Sequence, residues 1–275
     1  ETGLNMQNTS AFLTLSFGST FAESRQKDIG GIEHALQEAF PNYHHCRAYT
    51  SAIVRRHLAK ENIIVDDPET ALQKLLEAGF RHILLQPTHL LHGEEFEQKI
   101  LTLKDKFASY FDSFIISTPL ITVDEDYPLV AAAIAAQFPQ LAPSEGIILM
   151  GHGTPRRNNK AFGQTYVRLQ KNFDYMNLPV LVGTVEDEDS PNFDAVLQQL
   201  QQRKYTKVHM YPLMVVAGDH AANDMYGDDA DSWKTRIEQL DIATCGHLYG
   251  LGRNKAIQAL YVQHALKALL FNKNQ

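Results

Sequence analysis

The sequence predicts an α/β protein made of two similar doubly wound parallel-sheet domains that face each other across a cleft. Three observations lead there. Short apolar runs alternate with stretches of helical spacing along the whole chain, the pattern of a parallel sheet covered by helices on both faces. The pattern restarts after a proline-containing loop at 139–146, P-Q-L-A-P-S-E-G. Matching glycine turns then recur in the two halves. L-S-F-G-S-T at 15–20 sets beside M-G-H-G-T-P at 150–155, and I-L-L-Q-P-T-H-L-L-H-G-E-E at 83–95 beside V-H-M-Y-P-L-M-V-V-A-G-D-H at 208–220. Gly18 then falls opposite Gly153, Pro87 opposite Pro212, Gly93 opposite Gly218 and Glu95 opposite His220. The division expected is 1–130 and 131–275, and the crevice between two such domains is the expected ligand site.

In the first half, 12–16 (F-L-T-L-S) reads as a strand, and Phe17-Gly18-Ser19-Thr20 turns it into a helix. That helix carries Ile29, Ile32, Ala35, Leu36 and Ala39 on one face and stops at Pro41. A short strand at 46–49 precedes helices at 51–61 and 68–78, the second closed by Gly79. A strand at 83–86, a helix at 96–110, a strand at 114–117 and a helix at 127–138 follow. The second half repeats the order: strand 147–150, helix 161–171, strand 180–184, helix 193–202, strand 208–216 and helix 232–240. A last helix at 256–271 holds Ile257, Leu260, Tyr261, Ala265, Leu266 and Leu269 in one stripe.

Composition narrows the function. Hydrophobic residues make up 44% and charged residues 21%, as in an ordinary globular protein. The net charge of -7 comes without a basic stripe, which argues against nucleic-acid binding. Cys46 and Cys245 lie far apart, fit neither a zinc knuckle nor a disulfide framework, and read as buried or idle thiols. No apolar run approaches the length of a membrane span. Glu1-Thr2-Gly3 and the residues up to Met6 read as an added or processed stub. A cytoplasmic location is expected, with a periplasmic or surface-anchored one as the alternative that a trimmed start leaves open.

The chemistry concentrates at strand ends of the second half. The strand of 208–216 breaks at Gly218 and leaves Asp219, His220, Asn223 and Asp224 just beyond it. His152 and Glu186 close two other strands of the same sheet. In an open α/β sheet, ligands bind beyond the carboxyl ends of the strands. Two imidazoles and a carboxylate with open positions suit a divalent transition ion, and they also suit proton transfer. Three independent loop residues are the alternative, with His220 as a simple cap.

G-H-G-T-P, G-T-V-E, P-L-M-V-V-A-G-D-H-A-x-N-D-M and D-S-W, in this order, resemble the anaerobic sirohydrochlorin cobaltochelatases, relatives of the class II ferrochelatases. The first half agrees, with S-F-G-S-T, A-Y-T-S and Q-P-T-H-x-x-x-G-E-E. The resemblance implies a chelatase-like fold with a tetrapyrrole in the cleft and a last helix that packs back on the first domain. It implies a lyase that inserts Co2+ into sirohydrochlorin in cobalamin or sirohaem biosynthesis, with Fe2+ or Ni2+ as alternative ions. It maps the metal ligands onto His152, Glu186 and His220, the histidines also taking pyrrole protons. Ser16, Phe17, His89, Glu95, Arg156 and Arg157 then become substrate-binding candidates, with Lys160 beside the last two. No organic cofactor is implied, and a homo-oligomer is compatible with it. The alternative is a haem- or porphyrin-binding protein for haem or iron acquisition. A small-solute receptor shares the two-domain plan but leaves the strand-end histidines unexplained.

Two departures stand out. Asp187-Glu188-Asp189 is a more acidic run than the family leads one to expect. His92 stands where proline is expected before the G-E-E; it reads as a surface histidine or as an added ligand for haem iron or a second metal. With Glu94, His89 and Glu95 it is expected to line the cleft.

Overall fold

The computed structural model describes residues 8–153, 164–186 and 189–273. The chain divides into two compact units: Glu1–Thr20 with Ile29–Thr122 and Gln258–Gln275, and Phe21–Asp28 with Val123–Ile257.

The first unit holds a parallel sheet in the order β2-β1-β3-β4, from Ser10–Ser16 (β1), His44–Tyr49 (β2), His82–Pro87 (β3) and Ser113–Ile116 (β4). From Ala11 on, every residue of β1 is buried, because helices cover both faces of a central parallel strand. Leu13, Leu15, Leu72, Leu85, Phe96 and Ile100 form the core on one side. The helices start where capping side chains supply acceptors. Ser51 accepts from the Val54 N–H at the head of α2 (Ala52–Lys60), and Asp67 from the Thr70 N–H at the head of α3 (Pro68–Glu77). Pro68 sits in the first turn of α3, where a missing N–H costs nothing. The first helix is α1, Gly30–Ala39, entered through a wide π turn at Ser24–Ile29.

The second unit repeats this plan with β6-β5-β7-β8: Glu145–Gly151 (β5), Val180–Thr184 (β6), Lys207–Leu213 (β7) and Ala243–Gly246 (β8), all parallel. Its helices are α5 (Asp126–Ala135), α6 (Thr165–Tyr175), α7 (Phe193–Arg203) and α8 (Trp233–Glu238). The D-S-W motif is structural. Ser232 caps α8 through the Thr235 N–H, and Trp233 stacks on Phe193 at 4.3 Å and fills the space beside Gly183. In both sheets the winding reverses between the first and third strands, which opens a crevice at their carboxyl ends.

The two sheets match in detail. Leu15 pairs with Pro87 as Met150 pairs with Pro212. Each proline lies beyond the last rung to the edge strand, Leu85↔Ile116 and Met210↔Gly246, so its missing N–H interrupts no ladder there.

Three expectations are corrected. The helix at 96–110 is broken into a π turn at Phe96–Leu101, α4 (Leu103–Phe107) and a short 3-10 turn at Ala108–Tyr110. At the first break the Thr102 hydroxyl donates to the Gln98 carbonyl and competes with the helix ladder. The strand at 208–216 ends at Leu213; Met214 and Val215 instead accept from the Leu251 and Gly252 N–H groups through their carbonyls. Strand β8 was not expected, because A-T-C-G is short, sits at an edge and shows no apolar alternation. The last helix, α9, spans Lys255–Lys273, and its Tyr261 hydroxyl donates to the carbonyls of Thr88 and His89 at the end of β3.

Candidate active site

His152 is the first residue after β5 and His220 opens a π turn, His220–Met225, a few residues after β7. Their rings meet edge to face with centroids 4.8 Å apart. His220 Nδ1 contacts the Asp224 carboxylate one turn on. A carboxylate only accepts, so Nδ1 carries the proton and Nε2 keeps its lone pair. His152 Nδ1 lies 3.3 Å from the Gly153 carbonyl, which orients that ring in the same way. Both histidines therefore present Nε2, and Asp224 completes a carboxylate–histidine pair of the sort that holds metal-binding imidazoles.

Glu186 follows β6. Its backbone N–H donates to the His152 carbonyl, and the Val185 N–H to the Gly151 carbonyl, so the ends of β5 and β6 stay side by side. Gly153 has φ +103°, a conformation L residues avoid, and a Cβ there would lie 2.8 Å from Glu186 Cβ. The close approach brings the root of the Glu186 side chain against the turn that carries His152. Tyr166 supports that turn from below: its buried ring covers Gly151, and its hydroxyl accepts from the Gly153 N–H. Burial pushes the Tyr166 phenol up to about 12, so it stays neutral.

The two histidines are thus brought together, with Glu186, an exposed residue, anchored through its backbone beside His152. Among the described residues, the one set of three ligand-type side chains with donor atoms all within 4.8 Å of one another is different: His209, Cys245 and His247. Arg156, Arg157, Lys160, Asp187 and Glu188 lie outside the described residues. Asp189 is buried and accepts from the Ser190 N–H.

The first unit carries a polar cluster at the corresponding strand ends. Phe17 stands in the place of His152: the Thr50 and Ser51 N–H groups donate to the Ser16 and Phe17 carbonyls as those of Val185 and Glu186 do to Gly151 and His152. Gly18 repeats the left-handed turn at φ +100°. Ser16 and Thr88 hydroxyls hydrogen-bond at 2.7 Å, both buried. Phe17 is 48% exposed. Glu95 accepts from the Thr50 hydroxyl at 2.6 Å and lies 3.6 Å from Lys99 Nζ. His89 is only 11% exposed, and its Nε2 comes within 3.5 Å of Glu95. That is an ion-pair distance rather than a well-formed hydrogen bond, and among the described residues neither ring nitrogen of His89 has a hydrogen-bond partner. Burial pushes the Glu95 carboxyl up, but His89, the Thr50 hydroxyl and Lys99 outweigh it, leaving the pKa below the usual glutamate range. His92 contacts Glu97 at 3.2 Å and packs edge-on against Phe96; Glu94 is exposed and accepts from Gln98.

The sequence does not single out the roles of Thr50 and Tyr166, whose partners lie 45 and 13 residues away, or of Lys99, one helical turn from Glu95. It named Asp224 without its role, although the i,i+4 spacing to His220 was legible.

The comparisons with known proteins settle the family. The cobalt chelatase (CbiK) family matches residues 10–270. This chain belongs to it. A sirohydrochlorin cobaltochelatase of Salmonella typhimurium is 36% identical over 260 residues, 94% of this chain and 96% of its own. The sirohydrochlorin cobaltochelatase CbiKC of Nitratidesulfovibrio vulgaris is 27% identical, over 94% of this chelatase and 89% of its own length. Among solved structures, SirB from Bacillus subtilis with Fe3+ aligns with a TM-score of 0.64, covering 97% and 98% of the two chains; at 14% identity that likeness is one of fold. Among the described residues of the chelatase, no helix is long and apolar enough to cross a membrane.

Proposed function

We propose that this chelatase inserts Co2+ into sirohydrochlorin, with His152, Glu186 and His220 holding the incoming ion. The paired imidazoles carry the reading: two histidines from different strand ends, 4.8 Å apart between ring centroids, each with Nδ1 engaged and, among the described residues, no hydrogen bond at Nε2. Two nitrogens and one carboxylate hold a divalent ion without closing a cage around it, which a catalyst that must hand the ion on requires. Fe2+ and Ni2+ suit the same donors.

Insertion releases two pyrrole protons for each ion taken up. As the ion passes to the four pyrrole nitrogens, the two Nε2 lone pairs that held it become available, and each accepts one proton and later gives it to water. Charge is conserved: the dication enters and two protons leave. Glu186 offsets the charge of the ion before transfer and of the imidazolium rings after it. Phe17, His89, Glu95, Arg156 and Arg157 bind the tetrapyrrole, the arginines pairing with its carboxylates; Ser16, buried against Thr88, is not among them.

The haem-binding alternative draws no support from the relatives, whose names are those of cobaltochelatases. The test is absorbance spectroscopy of the purified chain with sirohydrochlorin and Co2+, run beside a haem titration. Conversion of the free tetrapyrrole spectrum to that of the cobalt complex, above the spontaneous rate, is expected. A tight haem complex with no acceleration of insertion would overturn the reading.

A further inference from the structure

We propose that the second unit carries a separate transition-metal site, formed by His209, Cys245 and His247 on the β7–β8 edge of its sheet and oriented by Glu145. It shares no residue with the set His152, Glu186 and His220.

His209 Nδ1 and His247 Nε2 lie 3.3 Å apart, and Cys245 Sγ lies 3.8 Å from His247 Nε2. A tetrahedral ion about 2.0 Å from each nitrogen and about 2.3 Å from the sulfur would separate the nitrogens by about 3.3 Å and nitrogen from sulfur by about 3.6 Å. Two of the three donor pairs therefore stand close to where a bound ion would put them, and the third, Cys245 with His209, lies within 4.8 Å.

The surroundings orient the donors. His209 Nε2 lies 2.9 Å from the Glu145 carboxylate. The carboxylate accepts, so Nε2 carries the proton and Nδ1 presents its lone pair to His247 and Cys245. That is the carboxylate–histidine–metal arrangement seen around bound ions. His247 stacks flat on Tyr211, with centroids 4.2 Å apart and an angle of 3° between the planes, which fixes the direction of its ring nitrogens. The His247 N–H donates to the Met210 carbonyl, so the backbone that delivers it is held as well.

A hydrogen-bonded chain of Glu145, His209 and His247, with the Cys245 sulfur as a weak further member at 3.8 Å, would use these contacts one at a time. An ion at the centre engages all three lone pairs at once. One thiolate and two imidazoles with an open fourth position suit Zn2+ or Co2+. Such an ion would tie β8, paired on one side only, to β7.

The experiment is a Co2+ titration of the metal-free full-length chain, followed by the near-ultraviolet thiolate-to-cobalt charge-transfer band. Only a cysteine ligand produces that band, so it reports this site and not one built from histidine and glutamate. It is expected to vanish in Cys245→Ser and His209→Ala, to persist in Cys46→Ser, and to persist and saturate at one equivalent in the His152→Ala/His220→Ala double variant. Glu145→Gln should weaken Co2+ binding about 10- to 100-fold. Zn2+ added to the cobalt-loaded parent should bleach the band, since Zn2+ binds such donors more tightly. No band in the parent at excess Co2+, or a band that survives Cys245→Ser, would overturn the proposal. If Cys245→Ser fails to fold, Cys46→Ser decides: a band retained there belongs to Cys245, the one other cysteine of the sequence, and a band lost there overturns the proposal.

Discussion

At the scale of single residues, the proposed active site depends on side chains that touch no substrate. Asp224 fixes the tautomer of His220, and both side chains are about half exposed, so the contact matters for ligand orientation more than for folding. Asp224→Ala should leave the melting temperature nearly unchanged and weaken Co2+ binding at the histidine pair about 10- to 100-fold. Titration in a Cys245→Ser background isolates that site, and unchanged affinity there would contradict the role. Gly153 makes a sharper case. Alanine would have to adopt φ +103° and push Glu186 away, so Gly153→Ala should destabilise the chain by about 1–2 kcal/mol and lose insertion activity. Chemical denaturation and initial rates measure both. Glu95 gives a pH prediction. Its carboxyl is lowered in the folded state, so its contribution to stability is full above the ordinary glutamate range of about 4.3 and is lost as pH falls through the lower folded value. The parent should therefore lose more melting temperature than Glu95→Gln on acidification into that range; parallel curves would rule it out. His152, Glu186 and His220 were legible as polar residues closing strands of one sheet. Tyr166 and Thr50 were not, because a tyrosine beneath a turn and a threonine beside a distant glutamate leave no local pattern.

At the scale of elements, buried apolar runs made the central strands plain in the sequence: β1, β5 and β7 are covered on both faces. What escaped were pieces set by tertiary contacts. Strand β8 exists because β7 offers it an edge, and the helix after Glu95 breaks where Thr102 bonds back to Gln98. Cys245 and His247, two residues apart, carried a ligand spacing hidden by the missed strand. The π turn at Ser24–Ile29 shows the same limit. Its last residue but one, Asp28, is fully buried. One oxygen accepts from the Ala217 and Gly250 N–H groups and the other from Arg253 Nε at 2.6 Å. Nothing near Asp28 in sequence announces these partners, yet they hold 21–28 within the second unit. Asp28→Ala would strand two buried N–H groups and part of a guanidinium. Arg253 keeps Glu23 at 3.5 Å, so the loss should fall at the lower end of the roughly 3–5 kcal/mol typical of a broken buried pair. A denaturation midpoint within error of the parent would refute this.

At the scale of the whole molecule, the repeat is the organising fact. Two sheets share strand order, glycine turns and proline positions, yet they carry different chemistry at equivalent places: Phe17 where the other has His152, and Glu95 aligned with His220. One plan supplies two sets of strand ends, and the second set holds the paired histidines. The central claim is that this pair carries metal insertion. The measurement that tests it most directly is the initial rate of Co2+ insertion at saturating sirohydrochlorin for His152→Ala, His220→Ala and the double variant, with melting temperatures as the folding control. Each single variant should melt like the parent and lose about 100- to 10,000-fold in rate, and the double variant should lose far less than the product of the two, because residues that act as one unit are non-additive. A His220→Ala variant that melts normally and inserts Co2+ at close to the parent rate would contradict the account.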